Sequence, residues 1–535
     1  MQIVPQDDHF ASADQITPDD LADIARAGYR SIICNRPDGE GGAAQPTSQD
    51  MRAAAQKLGL QFAYLPVKPG QITPADAARF GQLLDDLPGP VLAYCRSGNR
   101  ATSLFQLAGK PAAAGGTQAS QAVVPACDWD GAPYDIVVVG GGLAGITVTS
   151  SLLRRQSNLN IAIVEPNDHH DYQPAWTLVG GGAYDAKKTR RPTASVIPPG
   201  VKWIRAAAVR IEPENNVVRL DNGEAIAYRD LIVTPGLRLA WERIEGLADT
   251  LGKNGVTSNY RYDLAPYTWE LVRQTKGGTA LFTQPPMPIK CAGAPQKAMY
   301  LACDHWLRTG VLKNVKVEFD LAGPVLFGVA TFVPPLMEYV KRYNANLVYS
   351  SNLVAIDGPS RTATFETKDA GGNVTRVEKR FDMIHVVPPQ VPPDFIRDSQ
   401  LADAAGWCEV DHTTLRHPRY PNVFSLGDVC SAPNAKTGAA ARKQAVIVAE
   451  NLLAARAGKP LAYRYDGYGS CPLTVERGKV VLAEFGYGGK LLPTFPLDPT
   501  KPRRLMWFLK ATLLPSFYWW GMLKGREWFT RASRN

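Results

Sequence analysis

The stretch Tyr134–Gly145 (YDIVVVGGGLAG) leaves few folds open to the chain. Ile136–Val139 is a β-branched run with the length of a buried parallel strand. Gly140-Gly141-Gly142-Leu143-Ala144-Gly145 then places G-x-G-x-x-G where an apolar helix begins. Gly140 permits the tight turn, Gly142 lets the backbone approach a pyrophosphate, and Gly145, beside Ala144, lets helix and strand pack closely. Unpaired N–H groups and the helix dipole at that point favour a diphosphate. A second strand, Asn160–Val164, ends in Glu165 about 20 residues past the last glycine, where a carboxylate binds a ribose hydroxyl.

A chain of 535 residues with 45% hydrophobic content can bury several cores, so more than one domain is expected. The eight cysteines are scattered, with no C-x-x-C and no His/Cys cluster. That pattern predicts no metal site and no secreted disulfide framework, and a disulfide here would be catalytic. The start, MQIVPQDDHF, has no basic segment leading into an apolar one, which predicts a protein kept in the cytoplasm.

The net charge is +9, and Lys501, Arg503, Arg504, Lys510, Lys524, Arg526, Arg531 and Arg534 face only Glu527 in the last stretch. Apolar residues lie between these charges, which points to an anionic membrane surface and away from nucleic acid. Leu505–Phe529 is interrupted by Lys510 and Pro515, short of the roughly 20 continuous apolar residues that spanning requires. Two short amphipathic helices broken at Pro515 are expected, with Trp507, Phe517, Tyr518, Trp519, Trp520 and Trp528 at the interface. Contact with a second copy, a homo-oligomer, is the other use of such a surface. The expected layout is an N-terminal domain over 1–110, a Gly/Ala/Ser-rich linker over 111–133, an oxidoreductase domain over 134–495 and a membrane-association region over 496–535.

In the N-terminal domain the apolar runs Gly28–Cys34 and Val91–Cys95 alternate with helix-like segments at Pro18–Ala27 and Ser48–Leu58, a small α/β unit. Cys95-Arg96-Ser97-Gly98-Asn99-Arg100 puts a cysteine at a strand end before a helix, where backbone N–H groups favour a thiolate and an anion. The domain resembles the beta-lactamase-hydrolase-like family, with its cysteine-phosphatase-type fold. The loop departs from the phosphatase pattern, having four residues between Cys95 and Arg100 where that pattern has five. It is similar to the rhodanese loop, whose cysteine carries a persulfide. Sulfur transfer, phosphatase chemistry and an inactive domain all remain open.

In the middle of the chain an NADH-dependent enzyme needs a second glycine loop. Thr279–Lys290 (TALFTQPPMPIK) instead runs a strand into three prolines, which lack N–H donors for a diphosphate. The expected reductant is therefore small. Lys290-Cys291 follows, just before a helix that opens with Pro295, and the helix start with Lys290 and Lys297 should lower the Cys291 pKa. Phe327–Pro335 (FGVATFVPP) suits either a quinone pocket or ordinary core. Cys303 reads as a core residue.

KCAGAPQK around Cys291 and the later SCPL around Cys471, with YQPAWTLVGGG and LGDVC, resemble the mitochondrial-type sulfide:quinone oxidoreductases from about Tyr134 onward. The resemblance implies two Rossmann-like dinucleotide-binding-type domains of the FAD-dependent disulfide reductase fold, an α/β architecture. These would follow the small phosphatase-like domain and precede an amphipathic membrane anchor. It makes FAD the cofactor, ubiquinone the electron acceptor and hydrogen sulfide the substrate, with a small thiol or sulfite taking the sulfur.

It pairs Cys291 with Cys471, with Cys430 as the alternative partner. Gly236 in YRDLIVTPG and Asp428 after Gly427 match flavin-contacting turns, and Lys436 and Thr437 match a flavin-side motif in which Lys436 would offset charge on the reduced cofactor. By the same resemblance hydrosulfide attacks the disulfide, leaving a persulfide and a thiolate. The rhodanese-like loop on the same chain makes Cys95 the expected acceptor of that sulfur, or a thiol that works on the released persulfide. The expected location is the cytoplasmic face of a bacterial inner membrane. A type II NADH:quinone oxidoreductase and a flavin-bound sulfide sensor without turnover are the alternatives.

Overall fold

The computed structural model describes residues 3–6, 9–40, 42, 45–67, 72–96, 98–108, 132–369, 371–528, 530 and 533–534. They fall into two units, Met1–Val123 and Val124–Asn535. Nearly all of the expected linker over 111–133, Cys127 included, lies outside the described residues.

The first unit is a five-stranded sheet in the order Ile3–Pro5, Phe10–Ala13, Val91–Tyr94, Ser31–Cys34, Gln61–Tyr64. All neighbours are parallel except the first pair. Val91–Tyr94 and Ser31–Cys34 are fully buried, as a parallel sheet covered on both faces requires. One face packs on Leu21, Ile24, Met51 and Ala55, and the other on Phe80, Ala101 and Leu104.

In the second unit the sheet that carries the glycine loop runs Lys202–Ile204, Ile161–Val164, Tyr134–Val139, Ala225–Val233, all parallel. The long strand Ala225–Val233 also pairs with Val423–Ser425 in parallel and with Val217–Leu220 in antiparallel sense. The turn Gly427-Asp428 therefore leaves the same edge as Gly140-Gly141-Gly142, at the carboxyl ends of parallel strands where α/β sheets bind ligands. A second, wholly parallel sheet is ordered Val256–Thr257, Met383–His385, Gly278–Gln284, Val315–Leu321, Asn346–Tyr349. The helix Ala294–Arg308 crosses from Gly278–Gln284 to Val315–Leu321 and packs on a hairpin, Gly469–Glu476 with Lys479–Phe485.

The rings of Phe327 and Phe332 are buried in the core of the second sheet, which favours the core side of the two readings of Phe327–Pro335. One expectation changes here. The C-terminal stretch is not broken at Pro515. Helix Arg504–Phe508 passes through a π-helical turn, Leu509–Leu513, into helix Leu514–Trp520, whose first turn accepts Pro515. Tyr518 and Trp519 are buried against Tyr172 and His170, so they do not lie at an interface. Glu527 accepts from Arg155 and Ser151 on the helix behind the glycine loop. No helix among the described residues is long and apolar enough to cross a membrane.

Candidate active site

A Cβ added at Gly140 would lie 2.4 Å from the Thr234 oxygen, and one at Gly145 would lie 1.9 Å from the Gly140 oxygen. Gly140 also has φ +102°, so both positions exclude a side chain. At Gly142 an added Cβ meets nothing within 4 Å, because the loop opens there into a cavity of about 1160 Å³. Glu165 accepts from the Gly141 N–H at 2.9 Å and from the Asn167 N–H at 2.9 Å, fixing its carboxylate at the cavity wall. Ala144, Gly236, Asp428, Lys436 and Thr437 line the same cavity. A loop closed to side chains behind and open in front, with a fixed carboxylate and a long cavity, fits FAD.

Burial raises the Asp428 carboxyl above its ordinary range, against the pull of Lys436 and Lys290. The Lys436 amine donates to the Asp428 backbone carbonyl at 2.7 Å and the Cys430 backbone carbonyl at 3.0 Å, and it stands 4.2 Å over the Trp407 ring. The Thr437 hydroxyl caps the helix Gly438–Arg456, accepting from the Ala440 N–H. His170 joins the glycine loop to the C-terminal helix. Burial holds its pKa down at about 4, so the ring is neutral, and Nδ1 donates to the Gly141 oxygen at 3.1 Å while Nε2 accepts from the Tyr518 hydroxyl at 2.6 Å.

Cys291 and Cys471, 180 residues apart, meet with their sulfurs at 3.5 Å. Cys291 follows the strand Gly278–Gln284, in the turn where a second dinucleotide loop would sit. Its N–H donates to the Lys436 oxygen, which ties it to the Gly427-Asp428 turn. Cys471 comes from the hairpin, opposite Ala483. The nearby cation is Lys297, with Nζ 3.1 Å from the Cys291 sulfur; Lys290 turns away to Gln173. The Cys471 hydrogen bond and then the Lys297 ammonium hold the Cys291 thiol well below the ordinary range. Cys471 is held well above it by the hydrogen bond to Cys291 and by burial.

Cys430 is not the partner, because its thiol is buried and donates to the Gly427 oxygen at 3.2 Å. Cys303 is fully buried, as expected for core, and burial pushes the Cys408 thiol up to about 12. Lys510, expected among the headgroup-facing charges, is instead buried. Its Nζ lies 3.0 Å from the Pro472 oxygen and 2.8 Å from the Thr474 hydroxyl, on the strand that carries Cys471.

In the first unit Cys95 is buried at the end of Val91–Tyr94. Arg100 lies beside it, with its guanidinium in a fork on Glu40 at 2.7 and 2.8 Å and a further bond to the Val67 oxygen. Sequence reasoning missed Glu40, which is 60 residues from Arg100 and has no motif around it.

Residues 3–112 match the family model for the phosphatase-like domain of beta-lactamase hydrolase-like protein, and residues 134–268 match that for pyridine nucleotide-disulphide oxidoreductase. The mitochondrial sulfide:quinone oxidoreductase of Dictyostelium discoideum is 43% identical over 397 residues, covering 74% of this chain and 86% of that one. The chain belongs to the sulfide:quinone oxidoreductases. The Mus musculus mitochondrial sulfide:quinone oxidoreductase is 40% identical, across 73% of this chain and 87% of its own.

The solved sulfide:quinone oxidoreductase of Aquifex aeolicus shares the fold at a TM-score of 0.62 and 19% identity, covering 73% of this chain and 92% of that one. A sulfide:quinone oxidoreductase oxidises sulfide with FAD and passes electrons to quinone, and this chain does the same. A beta-lactamase hydrolase-like protein of Xylella fastidiosa is 40% identical over 107 residues. That match covers 20% of this chain and 25% of that protein's length, so the first unit corresponds to a part of it.

Proposed function

We propose that Cys291 and Cys471 are the pair through which this sulfide:quinone oxidoreductase takes sulfur from hydrogen sulfide. The observation that carries this reading is the 3.5 Å approach of the two sulfurs at the cavity that begins at the glycine loop. The sulfide sulfur attacks one sulfur of their disulfide. The new S–S bond leaves a persulfide on that cysteine, and the broken bond leaves a thiolate on the other, held by Lys297. A small thiol or sulfite then removes the persulfide sulfur. FAD would be held by Gly140, Gly142, Gly145, Ala144, Glu165, Gly236 and Asp428, and when bound would supply the route by which the electron pair reaches quinone.

Lys436 and Thr437 stiffen the turn at the cavity wall, and the Lys436 ammonium is a fixed positive charge there. Cys291→Ser and Cys471→Ser are each expected to keep the flavin bound and to lose its bleaching by sulfide in stopped flow. Full turnover in either variant would refute the pairing. In the unaltered protein sulfide and not NADH is the expected reductant, and bleaching by NADH would favour the type II NADH:quinone alternative.

The far wall of the cavity is built from Leu509, Leu513, Leu514, Phe517, Trp520 and Met522, an apolar lining suited to a quinone ring entering from a bilayer. Leu505, Phe508 and Trp520 on that segment are exposed, which supports peripheral seating on a membrane surface. The scattered cysteines, which form no secreted-type disulfide framework, favour the cytoplasmic face of a bacterial membrane. In the first unit Cys95, beside the Arg100–Glu40 fork, receives the sulfur or acts on the released persulfide.

A further inference from the structure

Two lysines converge on the thiol pair from opposite sides of the sequence. Lys297 rises from the helix Ala294–Arg308 and is 3% exposed; Lys510 descends from the C-terminal π-helical turn and is 6% exposed. Both line the cavity with Cys291, close enough for their charges to interact. Among the described residues neither has a carboxylate within ion-pair distance. The groups that face Lys510 are Lys297, Cys291 and Cys471, with Thr474 and the Pro472 carbonyl on the hairpin.

The two hydrogen bonds of Lys510 fill the donor capacity of a neutral amine. Such an amine has two N–H donors and one lone pair, and the Pro472 oxygen and the Thr474 hydroxyl take the two donors. The remaining position is left for the cavity that Lys510 lines. Two adjacent buried ammonium groups without a carboxylate would repel at short range in a poorly screened site. Lys297 keeps its proton because the two sulfurs outweigh the burial that works against it. Burial and then the Lys297 ammonium push Lys510 well below the ordinary lysine value. Lysine is suited to this, since its pKa moves readily on burial.

We propose that Lys510 is the proton acceptor of the sulfur site, taking a proton from hydrogen sulfide as the sulfur attacks the Cys291–Cys471 disulfide. The step balances. Hydrogen sulfide gives one proton to the Lys510 lone pair, and its sulfur forms an S–S bond to one cysteine as the Cys291–Cys471 bond breaks. The products are a protonated persulfide, one thiolate and the Lys510 ammonium. The sulfide sulfur is oxidised and the disulfide is reduced, with the disulfide regenerated by the electron flow to quinone. This assignment rests on sulfide oxidation at the cysteine pair. It adds that the substrate is accepted as neutral hydrogen sulfide, and that the base is supplied by the apolar C-terminal segment.

The test follows sulfide-dependent flavin bleaching against pH in the holoenzyme for Lys510→Ala and Lys510→Arg. Arginine stays cationic and can still donate to Pro472 and Thr474, so it preserves the contacts while removing the lone pair. Both variants are expected to be about a hundredfold slower near neutral pH. Their rates should climb with pH along the ionisation of hydrogen sulfide itself, and methylamine should restore the Lys510→Ala rate. Thermal melting and flavin content monitor the fold. An unchanged pH profile in both variants overturns the assignment, as does a uniform slowing without amine rescue. A failure of the underlying reading is distinguishable, because it appears as absence of sulfide bleaching in the unaltered protein.

Discussion

Cys291 has φ +51°, a left-handed backbone that costs a non-glycine residue about 1–2 kcal/mol. That conformation aims its sulfur at Cys471 while its N–H holds the Lys436 carbonyl. The charge that makes it reactive is the Lys297 ammonium, so Lys297→Met is expected to raise the Cys291 pKa. The midpoint of its alkylation by iodoacetamide should then move to higher pH, and a tenfold change in the thiol's acidity corresponds to about 1.4 kcal/mol. An unmoved midpoint would assign the depression to Cys471 alone. The sequence showed a cysteine before a helix start between two lysines, but not which lysine reaches the sulfur. The reason is geometric: Lys297 lies one turn inside the helix on the face that meets the hairpin, while Lys290 lies in the turn and swings to Gln173.

At the scale of elements, the C-terminal segment has two unlike sides. Met506, Lys510, Tyr518 and Trp519 point inward, whereas Leu505, Phe508, Leu513, Trp520 and Trp528 are left exposed. Phe508→Ser combined with Trp520→Ser is expected to weaken binding to phosphatidylglycerol-containing vesicles, by about 1.5–3 kcal/mol for each side chain withdrawn from apolar contact. The melting temperature should hardly change. Undiminished sedimentation with vesicles would remove this face from the membrane.

The glycine-loop unit was legible because three glycines and a strand-end acid obey close-range rules of approach and packing. The C-terminal helices were legible only as apolar and interrupted. Inward and outward residues there are set by a π-helical turn, which rotates every side chain after it, and by partners such as His170 and Pro472 that lie far away in sequence.

At the scale of the whole molecule, each unit has its own core. Cys95→Ser is expected to leave sulfide-dependent quinone reduction intact and to lower the yield of sulfane sulfur delivered to an acceptor. Unchanged product distribution with sulfite, a small thiol and cyanide would exclude a sulfur-handling role. The order of the units was plain from two strand-end motifs. Glu40, which grips Arg100, and the hairpin that carries Cys471 were not, because each is joined to its partner only by the folded chain.

The 180-residue separation of Cys291 and Cys471 has a mechanical corollary. A covalent bond between those sulfurs ties the crossover of the second sheet to the C-terminal hairpin and closes a loop whose entropic restraint on the unfolded chain is about 5 kcal/mol. On the proposed cycle each turnover unfastens and refastens this cross-brace. The oxidised enzyme waiting for sulfide is the harder form to unfold, and the working cycle is an alternation between a latched and an unlatched polypeptide.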